Sequence, residues 1–169
     1  MSVIDEQERH VTNRSDGASL VCSIGTCFCA IAIEHVVETM RPLPIEPIAG
    51  ASDLVSGVAI VRGVPIPVVD AGRLLGVDRL PAAMAQPGGA RFVTVRAGER
   101  RVAFAVETVL GVRHLSASSL RDLPPLLRDS VDSVSKIGAL DAQLLVVLRA
   151  MRLVPEAVWR SLDAKGESQ

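Results

Sequence analysis

The 169-residue sequence has very few aromatic residues, and this absence restricts what its interior can be made of. Aromatic residues make up 2% of the chain: three phenylalanines, one tryptophan and no tyrosine. Because 49% of the residues are hydrophobic, an interior can still form, built mainly from Val, Leu, Ile and Ala. β-Branched residues recur in short runs and favour strands. The composition therefore predicts a mostly β protein.

Long apolar runs and an excess of one charge are also missing. Runs such as Leu144 to Leu148 fall far short of the roughly 18 residues that a membrane-spanning helix needs. The N-terminus carries charged residues where a secretion signal would have an apolar stretch. The 18 basic and 19 acidic residues give a net charge of −1, without a basic stripe. We therefore expect no nucleic-acid partner, no direct membrane insertion and a cytoplasmic location.

Three cysteines, Cys22, Cys27 and Cys29, lie close together in the sequence. An odd number of cysteines, without a secretion signal, argues against a disulfide framework. A metal site would need further ligands, and the nearest histidine, His35, stands alone. We interpret the thiols as small buried hydrophobic groups, and we expect no metal and no cofactor.

The most informative pattern is an internal repeat. The segment from Gly25 to Val36 aligns without a gap with the segment from Gly98 to Val109. In each copy, an apolar stretch leads to a glycine turn and then to a second apolar stretch, which predicts a two-stranded hairpin. The identical pairs are Gly25 and Gly98, Ala30 and Ala103, Ala32 and Ala105, Glu34 and Glu107, and Val36 and Val109.

A second pair of segments repeats later in the chain. Pro67 to Leu75 aligns with Val146 to Val154, and each segment is typical of a buried strand followed by a short turn. Upstream, Gly57 corresponds to Gly138 if the first copy carries two extra residues. Short strands at this spacing, in two copies, predict two small β-barrels packed together.

Polar and proline-containing segments indicate the domain organisation. Residues 1–17 are polar and aperiodic, which predicts a flexible N-terminal arm. A Gly- and Pro-containing linker at about 81–89 separates the two halves of a single domain over 18–155. A proline at its first turn predicts a short helix within 156–169, followed by a disordered tail.

No catalytic motif is found in the sequence. The three histidines are isolated, and there is no P-loop, dinucleotide fingerprint or G-x-S-x-G elbow. Asp70 follows a strand-like run, as the phosphoacceptor of a receiver domain does, but Pro65 and Pro67 predict that this run lies at a sheet edge. We interpret Asp70 as the cap of a short helical turn. The sequence therefore predicts a protein that is not an enzyme, with a receiver-like phosphoacceptor at Asp70 as an alternative.

Residues 55–76 resemble the signature of the CheW-like family, the adaptors that couple chemoreceptors to the histidine kinase CheA in bacterial chemosensory arrays. The segment contains Gly57 to Gly63, then Pro67 to Asp70, then Arg73 to Gly76. The resemblance extends over about 18–155 and includes both predicted hairpins. Order and spacing carry the resemblance, because each piece alone is short.

The resemblance implies a fold and a function. The fold is mainly β: two packed five-stranded SH3-like β-barrels with short helical turns and a short C-terminal helix. The implied function is a scaffold that binds the regulatory domain of a CheA-type histidine kinase and the cytoplasmic tip of a methyl-accepting chemoreceptor. The chain departs from the family pattern at Ile60, Pro65 and Arg149. These departures leave open, as an alternative, a coupling protein of a non-flagellar pathway serving a pilus, gliding or second-messenger system.

The resemblance also implies partner-binding residues. Arg62 matches the family's array-contact arginine, and Glu38 is a candidate ion-pair partner for it. Gly57 and Gly63 belong to the same signature. Apolar residues beside the repeated hairpins are candidates for a groove that seats a helix, with core packing as the alternative for each: Ile33, Val36, Val37, Val106, Val109 and Leu110. We expect no catalytic residue and no metal ligand.

Overall fold

The computed structural model describes residues 17–77, 88–128 and 132–166. In this part of the chain the strands are β1 (Ala18–Ile24), β2 (Cys27–Ala32), β3 (Val36–Met40), β4 (Val55–Val61), β5 (Val64–Asp70), β6 (Arg91–Ala97), β7 (Arg100–Val106), β8 (Thr108–His114), β9 (Leu120–Asp122), β10 (Val134–Leu140) and β11 (Gln143–Leu148). The helices are α1 (Ala71–Leu75), α2 (Pro125–Arg128) and α3 (Glu156–Gly166). Most of the predicted arm at 1–17, most of the linker at 81–89, and the last residues of the predicted tail lie outside the described residues.

The strands form two sheets. Sheet A has the order β8-β1-β2-β11-β10-β9, and sheet B has the order β3-β6-β7-β5-β4. Most neighbouring strands are antiparallel, but β11 runs parallel to β2, and β5 runs parallel to β7. The predicted fold class, mainly β with two packed SH3-like units, is confirmed. Sheet A has six strands in place of the expected five because the three-residue β9 adds to its edge.

Each sheet is assembled from both halves of the chain. Sheet A joins the β1–β2 hairpin of the first half to β8–β11 of the second half. Sheet B joins the β6–β7 hairpin of the second half to β3–β5 of the first half. The chain crosses between the sheets at the 3₁₀ turn Ile33–His35 and again at the bend at Glu107. The two repeated copies therefore exchange hairpins.

The sequence repeat is visible in the geometry of the strands. Gly25 and Gly98 lie in the turns of the two exchanged hairpins, with φ of 55° and 66°. The strand after each crossover contains a β-bulge, at Val37 in β3 and at Leu110 in β8. These two residues are equivalent in the repeat alignment, so the duplication extends to local irregularities of the backbone.

The match of Gly57 with Gly138, which assumed two extra residues in the first copy, is wrong. Strands β4 and β10 have 7 residues each, and they lead to turns at 62–63 and 141–142. Gly138 and Ala59 each lie three residues before the first residue of the turn, so they are the equivalent pair. The two hairpins therefore align without an insertion.

The expectation that Pro65 and Pro67 place their strand at a sheet edge is also wrong. Strand β5 lies between β4 and β7 in sheet B. Both prolines face β4, whereas the parallel pairing with β7 begins at Val68. The missing proline donors do not interrupt the β7 ladder because the prolines precede it.

The central strands are buried on both faces. One face of each sheet contributes to a shared central core, and the opposite faces enclose two smaller cores. The central core includes all three cysteines, which are free, as the sequence predicted. The hydrogen bond with Cys22, together with burial, raises the pKa of the Cys29 thiol, which therefore stays protonated as an apolar group.

Helix α3 closes one end of the central core. Val158 and Trp159 are buried there, and Leu162 packs beside them. The guanidinium of Arg100 lies 4.9 Å from the centre of the Trp159 ring and donates a hydrogen bond to Asp163 at 2.9 Å. The helix is thus held by apolar burial and by one arginine. None of the helices in the described ranges is both long enough and apolar enough to cross a membrane.

Candidate functional site

The β4–β5 hairpin ends in a two-residue turn that presents Arg62 to solvent. Arg62 and Gly63 have φ of 50° and 80°, and two positive values are typical of a type I′ turn. A positive φ is uncommon for a residue with a side chain, so Arg62 is held in a conformation that most residues avoid. Its side chain is 74% exposed.

Arg62 forms the ion pair with Glu38 that the sequence predicted. Its Nε donates a hydrogen bond to Oε1 of Glu38 at 2.9 Å, and its Nη2 donates to Oε2 at 2.8 Å. The hydrogen bonds lower the pKa of Glu38 and raise the pKa of Arg62. Both groups are therefore charged at neutral pH, and the bidentate geometry fixes the long arginine side chain.

The ion pair joins the two edges of sheet B. Strands β3 and β4 are the edge strands of this sheet, with Glu38 on β3 and Arg62 directly after β4. Met40 of β3 packs against the same small core as Ala59 and Val61 of β4. The sheet therefore closes on itself as a barrel, and the ion pair lies where its edges meet.

The structure divides the six apolar candidates between the two crossovers. Three lie at the crossover from β2 to β3, and three lie at the crossover from β7 to β8: Ile33, Val36 and Val37, and then Val106, Val109 and Leu110. Val36 pairs with Val95, near the end of β6, whereas Val106 pairs with Arg91 at its beginning. Four residues of strand separate these positions by roughly 13 Å. The two groups therefore lie at separate places.

The candidates also differ in exposure. Ile33 and Leu110 are 39% and 40% exposed, and Val36, Val37 and Val109 are half-buried. Val106 is 4% exposed and belongs to the central core, which supports the core interpretation for this residue. The first crossover therefore offers Ile33, Val36 and Val37 as an apolar surface, whereas the second offers only Val109 and Leu110.

Gly57 has a structural explanation in this geometry. A Cβ atom at this position would lie 2.2 Å from the carbonyl oxygen of Glu46. Glu46 forms an isolated antiparallel bridge with Val58, next to Gly57, so the connecting segment crosses β4 at this point. Only glycine leaves room for that crossing. Gly63, in contrast, has open space around it.

Two further arginines, which no sequence motif indicated, lie on the same side of the barrel as Glu38. Arg96 and Arg101 are exposed and face each other across the β6–β7 hairpin. Arg101 is close enough to contribute to the lowered pKa of Glu38. The predicted turn at Gly98 could have revealed the pair, because a turn position fixes which residues lie opposite each other.

The residues considered for other chemistry are placed differently. Asp70 is 6% exposed, and its Oδ1 accepts a hydrogen bond from the backbone nitrogen of Arg73 at 3.1 Å. It caps α1, as interpreted from the sequence, and does not present an open carboxylate for phosphorylation. Within 17–77, 88–128 and 132–166, no group of three or more His, Cys, Asp or Glu side chains is placed to hold a metal ion.

Taken together, these features define the class of the protein. It is a two-barrel β domain with an ordered arginine–carboxylate pair at one barrel edge and an apolar crossover beside it. Residues 18–158 match the family model for the CheW-like domain. The chain therefore belongs to the CheW-like family of chemotaxis coupling adaptors.

The fold is also similar to that of a solved structure, the scaffolding protein TtCheW from Thermoanaerobacter tengcongensis. The two chains superpose with a TM-score of 0.67 at 20% sequence identity, over 81% of this chain and 91% of that chain. At this identity the likeness shows a shared fold. No curated protein matches the sequence.

Proposed function

We propose that the chain is a non-catalytic adaptor that links chemoreceptor tips to a CheA-type histidine kinase in a bacterial chemosensory array, on the cytoplasmic side of the inner membrane. The single observation that carries this proposal is the exposed, bidentate Arg62–Glu38 pair beside the apolar first crossover. Membership of the CheW-like family supports it.

The geometry of Arg62 suits a contact with a partner. Its bonds to Glu38 use Nε and Nη2. Nη1 has no hydrogen bond to the described residues and can donate to an acceptor on another protein. Because Glu38 holds the side chain in place, little side-chain entropy is lost when a partner binds.

The apolar residues of the first crossover suit a helical partner. Ile33, Val36 and Val37 lie beside the barrel edge, and Ile33 is 39% exposed. An amphipathic helix binds such a surface with its apolar stripe. We propose that the receptor tip supplies this helix and that the kinase regulatory domain contacts the barrel around Arg62. The signal passes through rigid contacts, and the adaptor performs no chemistry.

One observation favours a non-flagellar pathway. Ile60 is 58% exposed and pairs across β4–β5 with the exposed Pro65, next to the Arg62 turn. Both residues depart from the pattern expected for the family. An apolar pair at this position fits a kinase or receptor with an apolar complement, as a separate chemosensory system could provide.

An Arg62→Glu variant tests the proposed function. We expect its affinity for the purified kinase regulatory domain or for a receptor-tip fragment to fall at least about tenfold, because a charge at the interface is reversed. Its melting temperature should fall by no more than about 3 °C. Arg113→Glu, at an exposed arginine of sheet A, is the control for the change in charge.

Isothermal titration calorimetry measures both affinities. If the wild-type chain binds neither partner, the proposal is wrong. It is also wrong if Arg62→Glu binds both partners as tightly as the control does.

A further inference from the structure

The β6–β7 hairpin places two like charges directly opposite each other. Arg96 pairs with Arg101 near the turn, and both side chains are exposed. Opposite Cβ atoms in an antiparallel pair are about 4.5–5.5 Å apart, and like charges at this distance are destabilising. Neither guanidinium has a hydrogen bond or an ion pair with the described residues. Glu38, which already pairs with Arg62, is close enough to attract Arg101, so the protein's own contacts offset the charge of the pair only in part.

A third guanidinium lies on the same side of the barrel. Glu38 lies opposite Thr94, which is two residues before Arg96 on the same face of β6. Arg62 reaches this carboxylate from the β4–β5 turn and occupies both of its oxygens. Three positive charges therefore surround one negative charge at the rim of the barrel. We call Arg62, Arg96 and Arg101 the arginine cluster.

We propose that the arginine cluster binds an acidic segment of a partner protein, with one carboxylate bridging Arg96 and Arg101. A carboxylate between two guanidinium groups removes their repulsion and accepts charge-assisted hydrogen bonds from both. This inference rests on the proposed function, because it specifies the chemistry of the partner that this face of the adaptor binds.

The apolar neighbours of the arginine cluster favour a polypeptide over a free anion. Ile60 and Val64, which are 58% and 52% exposed, lie on either side of the Arg62 turn at the end of the β4–β5 hairpin. A partner that covers the arginine cluster also covers this apolar surface, which an inorganic anion cannot do. The complementary face therefore belongs to the kinase regulatory domain, the partner proposed to contact the barrel around Arg62, and it carries Asp or Glu beside exposed apolar side chains.

The test compares two variants with the same change in charge. The first is Arg96→Glu with Arg101→Glu. The matched control is Arg113→Glu with Arg121→Glu, at exposed arginines of β8 and β9 in sheet A. Calorimetry measures the affinity of each variant for the kinase regulatory domain and for the receptor-tip fragment, at low salt and at 0.15 M salt.

We expect the cluster variant to lose at least about tenfold in affinity for the kinase regulatory domain, and the control to lose less than about threefold. Wild-type affinity for that partner should fall with added salt more steeply than the variant's affinity does, because the lost contacts are ionic. Inorganic phosphate serves as a third probe and should bind far more weakly than the partner.

The outcomes separate the two proposals. If the wild type binds its partners and the cluster variant behaves like the control, the inference is overturned while the proposed function stands. If the wild type binds neither partner, the proposed function itself fails. Phosphate binding to the cluster as tightly as the partner would also overturn the inference, because the site would then recognise a free anion.

A measurement without any partner checks the like-charge pair. Arg96→Glu alone places opposite charges across the β6–β7 pair, so its melting temperature should rise by roughly 1–3 °C. A decrease would show that the two arginines do not repel each other, and the argument for a bridging carboxylate would fail.

Discussion

Gly57 has no side chain, and this lets the segment at Glu46 cross directly over strand β4 at the barrel edge. The Glu46 carbonyl passes so close that a Cβ atom would lie 2.2 Å from its oxygen. The φ of 149° is also one that residues with side chains rarely adopt. The resemblance named this residue as a binding residue, whereas the geometry explains it by close backbone contact.

A Gly57→Ala variant should lose about 2–4 kcal/mol of unfolding free energy, because the crossing segment must shift and the backbone is strained. Gly63→Ala is the matched control, with a φ of 80° but open space around it, and should lose only about 1–2 kcal/mol. Urea denaturation measures both values. Equal losses in the two variants would show that the contact with Glu46 does not matter.

The Arg62–Glu38 pair makes the stability of the chain depend on pH. The pKa of Glu38 is lowered by the hydrogen bonds from Arg62. A carboxyl group whose folded pKa is lowered contributes stability above its unfolded value of about 4.3, and this contribution is lost as the pH falls through the folded value. We therefore expect Glu38→Gln to be less stable than the wild type at pH 7, and the two to converge as the pH falls below the folded pKa of Glu38.

Denaturant midpoints at a series of pH values measure this difference. A difference in unfolding free energy that stays constant as the pH is lowered would mean that the carboxylate does not stabilise the fold through its charge.

At the scale of elements, α3 is attached by Trp159 and Arg100 together. Trp159→Ala should cost about 3–5 kcal/mol because a large buried side chain is removed from the central core. Arg100→Ala should cost about 1 kcal/mol, since its contacts are partly exposed. In a double-mutant cycle, the double variant should cost about 0.5–1 kcal/mol less than the sum, because the stacked pair is lost only once. Strict additivity would mean that the stacking contributes nothing.

The elements themselves could largely be predicted from the sequence, whereas their partners could not. Glycine turns and apolar runs predicted the β1–β2 and β6–β7 hairpins, and the proline at its first turn predicted the short C-terminal helix. These features depend on residues close together in the chain. The parallel pairing of β5 with β7 was not predicted, because it joins strands that are distant in sequence. Arg62 could be identified from its motif, and the turn at Gly98 could have revealed that Arg96 and Arg101 face each other, but their position beside Glu38 depends on pairing with the distant strand β3.

At the scale of the whole molecule, the exchange of hairpins makes the two halves interdependent. Each sheet contains strands from both halves, and one central core joins the two sheets. We expect a fragment of residues 1–84 and a fragment of residues 85–169 to be unfolded separately, because each lacks the hairpin that completes its sheet. Mixed together, the fragments should recover the β spectrum of the intact chain.

Circular dichroism and amide NMR spectra measure this recovery. We also expect the intact chain to unfold in one cooperative transition. If either half folds by itself, the exchanged hairpin that it lacks is not required for its barrel.

The exchange of hairpins also bears on how such a chain can change over generations. The topology is what two swapped subunits of a homodimer would have after being joined end to end. Neither copy can be deleted or recombined by itself, because a chain with only one copy would lack strands that both sheets require. A substitution in the first copy's hairpin changes the barrel that the second copy completes. The two repeated copies therefore have to be inherited and modified as a pair, even though one of their equivalent turns carries Arg62 and the other Asp141.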